Sequence, residues 1–190
     1  MHLKTFSELV NELRLDSFCP KRAYEAMARL SLTPQEIARF SLFSSTGYTR
    51  NLIFRSEEFE LLTLCWEHGQ QTPLHDHNSS RGWMRTLVGA IEEDRFQITG
   101  HPQPYLEPLV PESDHVAYID DDIGVHILRN NSRARAVSLH LYAPPIVSCS
   151  YYDPKTLAKR TASMRYHSVD GVMTTSQDFE KHSQSLASSL

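Results

Sequence analysis

The chain has 190 residues, 40% of them hydrophobic, enough to bury a core without disulfide or metal staples. Its formal net charge is −4, and no stretch gathers Lys and Arg into a stripe, which argues against nucleic acid and anionic membranes as partners. No apolar run approaches a transmembrane length, and Met1-His2-Leu3-Lys4 does not open a signal peptide. Cys19, Cys65 and Cys149 lie far apart with no CxxC, as suits a reducing cytoplasm rather than a disulfide framework. Ten histidines permit metal chemistry without requiring it.

The first quarter reads as three short helices. Thr5-Phe6-Ser7-Glu8 has the spacing of a capping box, with Leu9 and Leu13 behind it. Pro20 suits a first helical turn ahead of Tyr24, Met27 and Leu30. Thr33-Pro34-Gln35-Glu36 joins a capping residue, a proline at N1 and a glutamate at N3.

From Tyr48 the period changes to that of strands. Thr49 to Ser56 alternates, with Arg50, Leu52 and Phe54 on one face. If that face is the core, the Arg50 guanidinium is buried and needs an anion; otherwise it lies at a frayed end in solvent. Phe59 to Trp66 is an apolar strand, and Trp83 to Val88 another, ended by a turn at Gly89. Four prolines between residues 100 and 111 predict an irregular connection, at best an edge strand. His115 to Ile119 and Gly124 to Leu128 flank the acidic turn Asp120-Asp121-Asp122. In Val137 to Tyr142, Ser138, His140 and Tyr142 share one face, either a polar outer surface or a hydrogen-bonded interior row. The last residues drift to Ser, Thr, Gln and Asp. The whole reads as one mainly β domain over 1–190: a helical preface at 1–45, a small antiparallel barrel or jelly roll at 46–168, and a peripheral tail at 169–190.

The chemistry-bearing stretch is Leu74-His75-Asp76-His77. Two histidines one residue apart in an extended segment project to the same side, and a third imidazole would close a metal site. His115, His126 and His140 are the candidates. His126 stands among apolar neighbours in Gly124-Val125-His126-Ile127-Leu128, while His140 beside Tyr142 suits an orienting role.

Taken in order, Tyr48-Thr49-Arg50-Asn51-Leu52, Leu64-Cys65-Trp66, His75-Asp76-His77, Asp122-Ile123-Gly124-Val125-His126, Ser138 through Pro145 and Tyr166-His167-Ser168 resemble the cysteine dioxygenase family of the cupin superfamily. The resemblance implies a cupin barrel with Fe(II) held by His75, His77 and His126. It implies that Arg50 and Tyr48 hold the carboxylate of L-cysteine, that Tyr142, supported by His140 and Ser138, faces the substrate, and that Ala143-Pro144 is a cis peptide. It also implies a monomer that uses O2 to make cysteine sulfinate. Three neutral imidazoles would leave a dication its full charge and so favour an anionic ligand such as a thiolate. Related mercaptopropionate dioxygenases usually carry glutamine where this chain has Arg50. Animal members of the family join a cysteine at the position of Gly82 to the tyrosine equivalent to Tyr142, and Gly82 cannot make that thioether. Cys149 falls near the pocket rim of the family. The alternatives are a dioxygenase of another small thiol, 3-mercaptopropionate or cysteamine, and a metal-binding cupin without turnover.

Overall fold

The computed structural model describes residues 2–99, 105–109 and 116–174. Three helices come first: α1 (Phe6–Leu13), α2 (Pro20–Ala28) and α3 (Pro34–Arg39). Thr5 and Thr33 cap α1 and α3 by accepting the amides of Glu8 and Glu36. Neither glutamate reaches back to its own N-cap. Glu8 accepts the Lys4 amide, and Glu36 accepts the amide of Phe6, so α3 helps to fix the start of α1.

The strands are β1 (Thr49–Arg55), β2 (Glu60–Trp66), β3 (Leu74–His75), β4 (Arg81–Val88), β5 (Glu92–Thr99), β6 (Tyr105–Leu109), β7 (Ala117–Ile119), β8 (Val125–Arg129), β9 (Ala136–Ala143), β10 (Ser148–Tyr152), β11 (Lys159–Ser163), β12 (Ser168–Val169) and β13 (Val172–Met173). They form a seven-stranded sheet, β13-β12-β1-β2-β9-β4-β7, and a six-stranded sheet, β11-β10-β3-β8-β5-β6. Pairing is antiparallel except between β1 and β12. This is a jelly roll of two facing sheets; the expected barrel does not close into one hydrogen-bonded ring.

The seven-stranded sheet separates two cores. On one face Leu61, Leu139, Leu141 and Trp83 pack against Leu9, Leu13 and Met27 of the helices. On the other, Leu62, Leu64, Trp66 and Tyr142 meet Leu128, Cys149 and Tyr151 of the six-stranded sheet. Alternation along β2 and β9 therefore sends each residue to one core or the other.

Several expectations change. The register of β1 against β2 shifts between Leu52 and Phe54, so Arg50 and Leu52 share a face but Phe54 does not. Phe54 packs with the helical core, and Arg55 takes the inner face instead, opposite Glu60. Strands β5, β10 and β11 lie where the sequence offered no clear alternation. Pro108 lies in β6, at the outer edge of its sheet, where a missing N–H is tolerated. The segment assigned to the tail, 169–190, begins inside β12 and continues into β13, and both strands extend the larger sheet. His115 lies outside the described residues.

Candidate metal centre

Paired strands bring His75 and His126 directly opposite each other, and the turn after β3 carries His77 to the same place. One ring nitrogen from each of the three lies within 4.8 Å of the others. The local sequence builds this turn. Asn78 and Ser79 adopt left-handed conformations, and the Asp121 carboxylate accepts the amides of His77 at 2.8 Å and Ser79 at 2.6 Å. Asp76 ties the segment to β10 by accepting the Ser150 amide at 2.8 Å and the Tyr152 hydroxyl at 2.9 Å. Burial works to raise the Asp76 carboxyl, but these donors hold it below its ordinary value. Ahead of His126, Gly124 has φ +149°, and a Cβ there would stand 2.3 Å from the Phe96 carbonyl oxygen. Only glycine lets β8 approach β5 this closely.

Two of the three rings are oriented from behind. His75 donates Nδ1–H to the Pro73 carbonyl at 2.9 Å, and His126 donates Nδ1–H to Glu93 Oε1 at 2.6 Å. Both leave Nε2 as a lone pair toward the shared centre, the outer hydrogen bonding usual for metal-bound histidine. Arg95 secures Glu93 in turn, its Nη2 donating to Oε2 at 2.9 Å. Burial pushes all three imidazoles below their ordinary pKa; proximity to the other histidines adds to this for His77 and His126, as does Arg95 for His126. They are therefore neutral near pH 7, and His126 meets Glu93 by a hydrogen bond rather than as an ion pair.

His77 is the informative ring. It is buried, and neither of its nitrogens has a hydrogen-bond partner among the described residues. An orphaned buried polar group costs about 1–3 kcal/mol. A cation among the three rings removes that cost for the ligating nitrogen, so these residues fit a metal.

The polar row on β9 faces inward. Ser138, His140 and Tyr142 pair across β2 with Leu64, Leu62 and Glu60, on the face between the sheets. The Trp66 indole donates Nε1–H to Ser138 Oγ at 3.0 Å. Trp66 cannot accept, so among the described residues the serine proton goes to His140 Nε2, at 2.8 Å. His140 is then the Nδ1–H tautomer and donates to the Tyr142 oxygen at 3.0 Å. This turns the Tyr142 hydroxyl proton away from His140, leaving it to donate elsewhere. Burial holds the His140 pKa down to about 3 and drives that of Tyr142 upward, so both stay neutral.

Arg50 and Tyr48 line an open cavity of about 410 Å³ with Tyr151 and Tyr166. Tyr48 stacks on Trp66, their ring centroids 4.8 Å apart. The three histidines do not line this cavity. The Tyr142 ring stands between, 5.7 Å from the Arg50 guanidinium and 6.1 Å from the His77 ring. Arg50 already has an anion, since Nη2 donates to Glu60 Oε1 at 2.9 Å. Cys149 is buried, 3.9 Å from the Met164 sulfur. Gly82 faces Tyr142 across β4 and β9, and a Cβ on it would lie 3.2 Å from Tyr142 Cε1. The Ala143-Pro144 bond is cis.

Sequence reasoning missed Glu60, Glu93, Trp66 and Asp121 as supports. Glu93 and Arg95 are spaced two apart, which was the available sign that they share a strand face. Nothing in the sequence says which histidine that face meets.

The family model for cysteine dioxygenase type I matches residues 4–155. Human cysteine dioxygenase type 1 is 36% identical over 149 residues, covering 74% of this chain and 73% of its own. The zebrafish (Danio rerio) protein of the same name is 32% identical over 184 residues, covering 92% of both chains. Among solved structures, an RmlC-like cupin protein from Desulfovibrio desulfuricans superposes with a TM-score of 0.37 at 25% identity, over 55% of this chain and 90% of its own. A model match across most of the length, with relatives this similar, means that the chain belongs to the cysteine dioxygenase type I family.

Proposed function

We propose that this chain oxidises L-cysteine with O2 to cysteine sulfinate at an Fe(II) centre held by His75, His77 and His126. The observation that carries the reading is the unpartnered, buried His77 ring beside two imidazoles whose Nε2 lone pairs are already aimed. Bound Fe(II) supplies the redox chemistry that lets O2 react with a thiolate, which d¹⁰ zinc on the same ligands cannot. The chain's own residues do the rest. Arg50 binds the substrate carboxylate, with Tyr48 beside it, and its removal costs about 2–5 kcal/mol of binding. Burial opposes the Arg50 charge, but the Glu60 carboxylate outweighs it, so the guanidinium stays a cation. Tyr142 donates its hydroxyl proton toward the reacting end of the substrate, in the direction that Ser138 and His140 set. The protein acts as a monomer in a reducing cytoplasm, where Cys19, Cys65 and Cys149 remain thiols.

The test is O2 uptake by Fe(II)-reconstituted protein with cysteine, 3-mercaptopropionate and cysteamine, alongside metal analysis. Cysteine-dependent uptake that yields the sulfinate, and its loss in His126→Ala, are expected. Normal turnover by iron-free protein or by His126→Ala defeats the reading. Preference for cysteamine, which lacks a carboxylate, defeats the role of Arg50. Protein that binds iron and cysteine yet consumes no O2 is a cupin without turnover.

A further inference from the structure

Glu60 is fully buried on the inner face of β2, opposite Tyr142. Its Oε1 accepts Arg50 Nη2 at 2.9 Å and the Ile146 amide at 3.3 Å. Its Oε2 accepts Arg55 Nη1 at 3.1 Å and the Tyr166 hydroxyl. The bulge in β1 is what sets Arg55 beside Arg50: in regular alternation residues 50 and 55 would point to opposite faces. Both guanidinium groups lie against the Tyr166 ring, at 5.8 Å for Arg50 and 6.0 Å for Arg55.

The charges can be counted. Arg50 and Arg55 contribute two cations and Glu60 one carboxylate, which leaves one positive charge in a largely buried cluster. With Glu60 alone, the charge of Arg50 would be cancelled before any substrate arrived. Arg55 cancels Glu60 instead. Glu60 meanwhile holds Arg50 by one Nη, and the buried Arg50 Nε has no partner among the described residues. We infer that Arg55 and Glu60 form a neutral pair that positions Arg50 and leaves this three-residue cluster one positive charge to match a single substrate carboxylate. Arg55 and Glu60 are positioning residues. The inference rests on the proposed use of Arg50.

The test is steady-state O2 uptake by iron-loaded protein with cysteine and with cysteamine. A unit charge about 12 Å away, at an effective dielectric near 20, changes a binding constant by on the order of tenfold, and a closer one by more. Arg55→Met should raise KM for cysteine by about tenfold or more, with kcat and iron content little changed and KM for cysteamine unmoved. Arg55→Lys, which keeps the charge, should stay near the parent KM. Arg55→Met/Glu60→Gln restores the net charge and should recover much of the loss. An unchanged KM in Arg55→Met overturns the inference, as does an equal rise for cysteamine or a Lys variant no better than Met. If the parent protein oxidises no cysteine, the functional reading has failed; if it does and Arg55→Met matches it, only the charge pairing has failed.

Discussion

Glu93→Gln separates a metal site held from behind from one held by its ligands alone. Glu93 offers one oxygen to His126 Nδ1–H at 2.6 Å and the other to Arg95 Nη2 at 2.9 Å. Glutamine has a single acceptor oxygen, so its amide must present N–H to one of two donors. A His126 that loses this acceptor can move its proton to Nε2 and surrender the ligating lone pair. Loss of such a support lowers metal affinity by about 10–100-fold, or roughly 1.4–2.7 kcal/mol. For a chain of this size 1 kcal/mol moves Tm by about 2–4 °C, so the stabilisation conferred by the metal should shrink by roughly 3–11 °C. The metal-free protein also loses about 1–3 kcal/mol, because buried Arg95 keeps a poorer partner. Chelator competition gives the Kd, and melts of metal-free and loaded protein separate the two effects. Lowered metal-free stability with an unchanged Kd would refute the reasoning and make Glu93 a partner of Arg95 only.

Stability of the metal-free protein should depend on pH in a definite direction. Burial depresses the pKa of His75, His77, His126 and His140, the last to about 3. The unfolded chain takes up protons as pH falls through about 6.5 while the native state does not, so stability is lost on acidification, by up to about 1.4 kcal/mol per pH unit per histidine. Denaturant melts between pH 7 and 5 check this, and a flat profile contradicts it. Ser138→Ala orphans the Trp66 N–H and His140 Nε2, at about 1–3 kcal/mol each, and lets the Tyr142 hydroxyl turn back to His140. We expect kcat to fall by about 10–100-fold with little change in KM, read by O2 uptake. Gly82→Cys places a sulfur beside Tyr142 Cε1, where space is about 10 Å³. Turnover should then yield a thioether, seen in the intact mass as the loss of two hydrogens; a folded, active variant of unaltered mass refutes this.

Where one residue faces one environment, the sequence was legible. The capping threonines, Pro20 and Pro34 mark the helix starts, and strict alternation in β9 separates Leu139 and Leu141 from His140 and Tyr142. The spacing of His75 and His77 gave two of the three clustered rings, while spacing alone left the third open among His115, His126 and His140. That choice depends on β3 pairing with β8 across about 50 residues of chain, a contact that no local pattern encodes. The bulge in β1 was equally hidden. Arg50, Leu52 and Phe54 look like a regular alternation, yet one extra residue exchanges Phe54 for Arg55 on the inner face. Glu60 was unreadable for a related reason, since a charged residue at the head of an apolar strand looks like a solvated end until two arginines are seen to meet it.

The site makes opposite electrostatic demands at its two ends, which lie on either side of the Tyr142 ring, and together they restrict the ligand. At one end three neutral imidazoles, one of them unpartnered, favour a cation. At the other, the cluster around Glu60 keeps one positive charge in excess and favours an anion. Tyr142 touches both and carries no charge of its own. A bound dication on neutral ligands would still need anionic donors, because burial makes its remaining charge expensive to leave unmatched. A small molecule with a thiolate for the metal and a carboxylate for Arg50, separated by a few bonds, meets both demands at once. Cysteine and 3-mercaptopropionate have this form, and cysteamine does not. Comparison of cysteamine with the two acids therefore tests both ends together: equal KM values for all three thiols would show that the anion-binding end plays no part in binding.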